Sequence, residues 1–252
     1  MRVSIKRWVL LVGGLHRWQA MMLVAIGLMT VACMGVLVTY GLWRAEPAVW
    51  RDAQMRLSRI DPEQLALDAT DLEQRVVRLV GSINGQQTLL ISADDANAWL
   101  RTRLRDWLLN RQTDGKRPWL PQSVEAPIVS IDGRRVIVAL RCASDELTQV
   151  FSAEFDVEPQ PDGSVIVRLL TVRGGQLPLP IGTALKQAGL ASAPWAESFR
   201  DAIDQLRRGV TIGPSIPIGD PNGDRQVTLL NVVGGDGHLT ITARTDIRYN
   251  PE

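Results

Sequence analysis

Histidine is almost absent from this chain of 252 residues: His16 and His238 are the only two. Cysteine is as scarce, with Cys33 and Cys142 alone. Charge of one sign is missing as well, since 28 Lys and Arg against 27 Asp and Glu leave a formal net charge of +1. Each scarcity excludes something. So few histidines and cysteines rule out a histidine-rich metal site and a disulfide framework. A near-neutral chain lacks the basic excess that a phosphate backbone demands, which excludes nucleic acid as the main partner. Neither G-x-G-x-x-G nor a Walker loop occurs, so there is no nucleotide cradle. There is also no repeat at fixed period and no low-complexity tract.

A catalytic set is equally hard to assemble. Any Ser-His-Asp or Cys-His arrangement would have to use His238, which sits just past a glycine turn at the start of a strand pattern. Cys142 follows a strand and has no motif around it. The expectation is therefore a protein that is not an enzyme, with no catalytic residues and no cofactor. GDPNGDRQV, residues 219–227, places Asp220, Asn222 and Asp224 two apart, as in a calcium loop. The match then breaks, because Gly223 falls at position four, Arg225 at position six and Asn231 at position twelve. Asp, Pro, Asn and Gly at a tight turn explain the same residues, so no metal is expected.

What is present is a long apolar run. Ala20 to Trp43 reads AMMLVAIGLMTVACMGVLVTYGLW without one charged residue. As a helix it would reach roughly 36 Å, enough for a tilted membrane span. Trp18 precedes it, and Tyr40 and Trp43 close it, where aromatic rings favour the membrane interface. Cleavage as a signal peptide, or lipidation at Cys33 in a Thr-Val-Ala-Cys box, are competing readings. The ten apolar residues that follow Cys33 argue against the second. Arg2, Lys6, Arg7 and Arg17 before the run nearly balance Arg44, Arg51, Arg56 and Arg59 after it. A short N-terminal tail normally stays inside, which leaves the large C-terminal part outside the cytoplasm. The expected organisation is a cytoplasmic tail over 1–19, a transmembrane helix over 20–43, a helical juxtamembrane linker over 44–60 and an extracytoplasmic domain over 61–252. Gly27 and Gly35 do not form a G-x-x-x-G pair, so nothing points to association through the span, and the oligomeric state is open.

Beyond the span, the pattern is α+β: amphipathic helices packed on an antiparallel β-meander. Asp61-Pro62-Glu63-Gln64 opens a helix, with Leu65, Leu72, Val76, Leu79 and Ile83 as its apolar stripe. Thr88–Ile91 is a short strand. Ser92 caps a second helix whose apolar face is Ala96, Trp99, Leu100, Leu104, Trp107 and Leu108, with Arg101, Arg103 and Arg105 interleaved. Three hairpins follow: 129–140 across Asp132-Gly133, 147–172 across 159–163, and 226–248 across 234–237. Helices over 181–188 and 195–208 interrupt them, the second turning Ala196, Phe199, Ile203 and Leu206 inward.

Two stretches are candidates for lipid contact. WLRTRLRDWLLNRQTDGKRPWL, residues 99–120, mixes Trp and Leu with Arg and Lys, which suits a headgroup surface, though the same residues suit a helix packed on the sheet. GGQLPLPIG, residues 174–182, puts Leu177, Leu179 and Ile181 on a segment whose prolines exclude both a central strand and a helix. These side chains either line a groove or seal the core along a rigid connector. The candidate ligand-binding residues are thus Trp99, Leu100, Leu104, Trp107, Leu177, Leu179 and Ile181, with Trp18, Tyr40 and Trp43 at the membrane interface.

The order of these motifs resembles a known family. A single span is followed by ISADDANAWL, residues 91–100, then by hairpins, then by VRGGQLPLPIGTALKQ, residues 172–187. This is similar to the YpmS-type family of single-span bacterial membrane proteins. More distantly it resembles the LmeA-type phospholipid-binding proteins of the tubular lipid-binding group. The likeness covers roughly residues 18–190, and QVTLLNVVGGDGHLTITAR resembles the closing strands of such domains. Residues 190–225 depart from the pattern. The resemblance implies a non-enzymatic domain outside the cytoplasmic membrane that binds or passes phospholipid or another amphiphile, with membrane lipid as partner. The alternative is an anchored scaffold with a closed core that binds another protein of the cell envelope.

Overall fold

The structure, a computed structural model, describes residues 17–82, 85–110, 124–143, 148–180, 196–218 and 225–247. The chain divides into two units, one up to Ala45 and one from Glu46 onward. Among the described residues, the first contains one helix, α1 (Arg17–Arg44), long and apolar enough to cross a membrane. From Val24 to Leu42 its side chains are exposed, with Leu28 at 67% and Val31 at 71%. Such a surface is costly in water and satisfied by hydrocarbon. The hydroxyls of Thr30 and Thr39 donate back to Ile26 O and Gly35 O at 2.8 and 2.7 Å, so neither is left unpaired in an apolar medium. Trp18 lies in the first turn, Tyr40 and Trp43 near the last, and the Arg44 guanidinium stands 5.2 Å over the Tyr40 ring.

The second unit begins with α2 (Ala48–Leu57) and α3 (Pro62–Gly81). As expected, Asp61 caps α3, accepting from Glu63 N at 2.9 Å, with Pro62 in the first turn. Two expectations need correction here. Residues 44–60 were expected to be a linker, yet α2 buries Trp50, Ala53 and Leu57 in the core. The apolar stripe of α3 is also shorter than expected: Leu65, Ala69 and Leu72 are buried, Leu79 is half-buried, and Val76 is exposed. Ile83 lies outside the described residues.

Next come β1 (Gln86–Ser92), α4 (Ala93–Thr102) and α5 (Leu104–Asn110). Ser92 caps α4 through a reciprocal box: Asp95 N donates to Ser92 Oγ at 3.0 Å, and Ser92 N to Asp95 Oδ2 at 3.2 Å. The single helix expected after Ser92 is two, because Arg103, at φ −117°, interrupts it. The buried face is also different: Ala93, Asn97 and Ala98 are inside, whereas Ala96, Trp99, Leu100, Leu104 and Leu108 are half-buried and Trp107 is exposed.

The remaining strands are β2 (Ile128–Asp132), β3 (Arg135–Ala143), β4 (Thr148–Pro159), β5 (Val165–Gly174) and β6 (Leu177–Pro178). After them come α6 (Ala196–Arg208), β7 (Val210–Ile212), β8 (Ser215–Ile218), β9 (Arg225–Gly235) and β10 (His238–Ile247). The fold class is α+β, as the sequence pattern predicts. One antiparallel sheet runs β2-β3-β4-β5-β6, a meander, with β7 also on β5. The other runs β1-β10-β9-β8. Bulges at Glu154/Phe155 and Thr242/Ala243 leave Leu170 and Leu230 unpaired and exposed. The core joins Trp50, Ala53, Leu57, Leu65, Ala98, Ile128, Ala139 and Val150. On the far side of the meander, Ile203 of α6 buries against Leu169, with Phe155, Val172 and Leu206 around them. The side chains of Ala196 and Phe199, and the helix expected over 181–188, lie outside what is described.

The two sheets meet at their hairpin tips. Gly133 N donates to Gly235 O at 3.1 Å, Gly237 N to Ile131 O at 3.0 Å, and Ala93 N to Gly237 O at 2.8 Å. A Cβ on Gly234 would fall 1.8 Å from Gly133 O, so only glycine permits this approach.

Candidate functional site

The site grows out of α4. Asn97, almost fully buried, aims its amide at the outer edge of β2: its Nδ2 donates to Val129 O at 2.9 Å, and Val129 N donates to its Oδ1 at 2.6 Å. A side chain thus completes a strand edge that would otherwise carry bare backbone groups. One helical turn on, Arg101 lies on the same face. Its side chain is exposed there.

Two open clefts meet at that point. The first, about 310 Å³, is lined by Gln54, Leu57, Asn97, Arg101, Glu125 and Arg141, among others. The second, about 510 Å³, is lined by Leu57, Ser58, Ile60, Pro62, Leu65, Arg101 and Thr102. Arg101 and Leu57 belong to both. The first cleft mixes those polar groups with Leu57, Ala126, Pro127 and Ile128, and the two linings are alike in polarity. The second has an apolar floor of Leu57, Ile60, Pro62 and Leu65.

The neighbouring charges are largely committed. Arg141 pairs with Glu46 and, at 3.5 Å, with Glu125, and it stands 5.1 Å over the ring of the buried Trp50. The Arg141 Nε and the Trp50 indole N–H are buried without a hydrogen-bond partner. Arg103 is held by Thr70 Oγ1 at 3.0 Å and faces Glu73, and Arg105 reaches Val124 O. The three interleaved arginines therefore differ: among the described residues, the Arg101 side chain alone of the three has no ion pair or hydrogen bond. Above them, Arg75 bridges Asp71 and Asp95, each at 2.9 Å, and donates to Leu90 O at 2.6 Å. Partial burial opposes ionisation of Asp95, but the bonds from Arg75 and Ser92 outweigh it and hold the carboxyl below its usual range.

The lipid-contact candidates from the sequence sit elsewhere. Trp99 donates its indole N–H to Glu73 at 2.9 Å and meets Trp107 edge-on, with ring centroids 6.1 Å apart. Leu100 and Leu104 are half-buried beside them. Leu177 and Leu179 are half-buried on and just after β6, which is a short edge strand: Leu177 pairs with Gly174, Pro178 with Arg173, and Leu179 N donates to Val172 O at 2.8 Å. Ile181 lies outside the described residues. None of the six described candidates lines either cleft. Gln54 and Leu57 escaped sequence reasoning because they fall in the stretch expected to be a linker. Arg101 was visible, and its spacing of four from Asn97 was the available signal.

His238, the candidate base, has Nδ1 3.0 Å from Asp236 O and lies against Gly235, where a Cβ would come within 2.4 Å of the ring. Cys142 is buried, and burial pushes its thiol up to about 11, which keeps it protonated at neutral pH. Among the described residues no group of three or more His, Cys, Asp or Glu could hold a metal ion. Asp220, Asn222 and Asp224 lie outside them. Comparison with known proteins finds no matching family model, no matching curated protein and no matching solved structure.

Proposed function

We propose that this chain is a single-pass protein of the bacterial cytoplasmic membrane whose body, outside the cytoplasm, binds or passes an amphiphile without catalysing a reaction. One observation carries the reading: two clefts of ligand size share Arg101, which has no hydrogen-bond or ion-pair partner among the described residues. Their volumes fall within the range of roughly 300–1,000 Å³ typical of small-molecule sites. The tether adds support, since a single residue, Ala45, separates the end of the apolar helix from Glu46, where the body begins. The same proposal carries the kinship with YpmS-type proteins that ISADDANAWL and VRGGQLPLPIGTALKQ motivate.

Native mass spectrometry of the full chain, extracted from membranes in mild detergent, tests it. A bound mass in the lipid range at fixed ratio is the expected result. A bare chain, even after incubation with lipid vesicles, would favour the second reading, an anchored scaffold for another envelope protein. That reading has its own observation: Leu90 and Val233, 48% and 49% exposed, flank Thr240 in one row across a sheet face.

A further inference from the structure

We propose that the amphiphile is zwitterionic, with a phosphate held by Arg101, an ammonium drawn to Glu125, and a single hydrocarbon chain lying over Leu57, Ile60 and Leu65. The inference rests on the amphiphile reading above and adds the chemistry of the head group. It comes from a count of charges. Glu46 and Glu125 share one cation, Arg141, which leaves a carboxylate charge in excess. Glu125 is the exposed member of that trio. Arg101, also exposed, has no carboxylate partner among the described residues. The first cleft thus presents one unanswered positive charge and one under-compensated negative charge within about 310 Å³. A purely anionic head group would satisfy Arg101 and be repelled by Glu125. A phosphate ester of an amino alcohol satisfies both. The planar guanidinium fork also suits the two free oxygens of a phosphodiester.

The chain direction follows from Arg101 being common to both clefts. A phosphate there leaves the ammonium on the side of Gln54 and Glu125. The ester-linked chain leaves on the other, across the floor of Leu57, Ile60, Pro62 and Leu65. That floor is four residues in extent, which suits a single chain.

The test is competition on the full chain in maltoside detergent, read by native mass spectrometry. The probes are lysophosphatidylethanolamine, lysophosphatidylglycerol of equal chain length, and glycerophosphoethanolamine, which has the head group and no chain. The expected result is a preference of about fivefold for the ethanolamine lysolipid over the glycerol one, the factor that an exposed charge pair supplies. Arg101→Gln should weaken both lysolipids. Glu125→Gln should erase the preference and leave the glycerol lysolipid bound at least as well. Both positions are exposed, so the variants should melt with the parent. Equal binding of the two lysolipids, unchanged in Glu125→Gln, would overturn the zwitterion and leave the amphiphile reading standing. Displacement by glycerophosphoethanolamine as effective as by the lysolipid would overturn the chain placement. No adduct with any probe would remove the amphiphile reading itself.

Discussion

At the scale of single residues, two polar side chains of α4 tie it to its neighbours: Asn97 to β2 and Asp95 to Arg75 of α3. Asn97 takes the place of a neighbouring strand for Val129. Asn97→Ala removes both bonds and leaves a donor and an acceptor unpaired at a covered edge. The expected loss is about 2–4 kcal/mol in urea unfolding, since each unsatisfied buried group costs about 1–3 kcal/mol. A loss under about 1 kcal/mol would mean that water reaches this edge. Asp95 acts through charge. Its folded value lies below its unfolded one near 4, so its ionised form stabilises the fold above that pH, and the contribution fades as the pH falls through the folded value. Asp95→Asn should therefore cost about 1–2 kcal/mol at pH 7, from the weakened box and the lost pair with Arg75. The gap from the parent should close below about pH 4. Melting curves across pH 3–7 check this, and a gap constant with pH would assign the cost to packing instead.

At the scale of elements, the hairpin tips hold the sheets together, and glycine makes the contact possible. Gly234→Ala drives a Cβ into a backbone carbonyl, which cannot rotate away. Gly237→Ala meets no atom within 4 Å and bears only the strain of its φ of +75°. The expected order is a loss of about 3 kcal/mol or more for the first and about 1–2 kcal/mol for the second. Equal melting shifts would show that the tips can separate without cost. Local features of these elements were legible in the sequence: the Asp61 and Ser92 caps, the Asp132-Gly133 turn and the closing hairpin all depend on neighbours in the chain. What could not be read depends on distant partners. Nothing near Arg103 marks the break between α4 and α5, where its side chain is drawn to Thr70 and Glu73 of α3. Pro178 excludes a central strand, as read, but not the margin of a sheet, where a missing N–H faces outward and Leu177 and Leu179 can still pair and pack. The clefts were illegible for the same reason: Leu57, Leu65, Arg101 and Arg141 are brought together only by the packing of α2 and α3 on α4 and the meander.

At the scale of the whole molecule, the boundary between anchor and body is the consequential feature, and a boundary at residue 61 misplaces it. Residues 46–60 carry five charged residues, Glu46, Arg51, Asp52, Arg56 and Arg59, beside seven apolar ones, and the helix they form is short, so in the sequence they read as a helical connector. Their apolar members are nevertheless spaced three and four apart at Trp50, Ala53 and Leu57, one face of a short helix, and that face is buried with Leu65, Ala98, Ile128, Ala139 and Val150. Removing a buried Trp and a buried Leu leaves cavities worth about 3–5 and 2–5 kcal/mol respectively, together comparable to the net stability of a small domain. Two fragments separate the possibilities. A chain of residues 46–252 should unfold in urea in one cooperative transition, at a midpoint close to that of the body within the full chain. A chain of residues 61–252 should lose that transition, because the open groove it leaves exposes Leu65, Ile128 and Val150 to water. If the shorter fragment instead unfolds cooperatively at an unchanged midpoint, α2 is a dispensable strap. The first cleft would then lose Gln54 and Leu57 without the fold noticing, and the proposed site would rest on its remaining lining of Asn97, Arg101, Glu125 and Arg141.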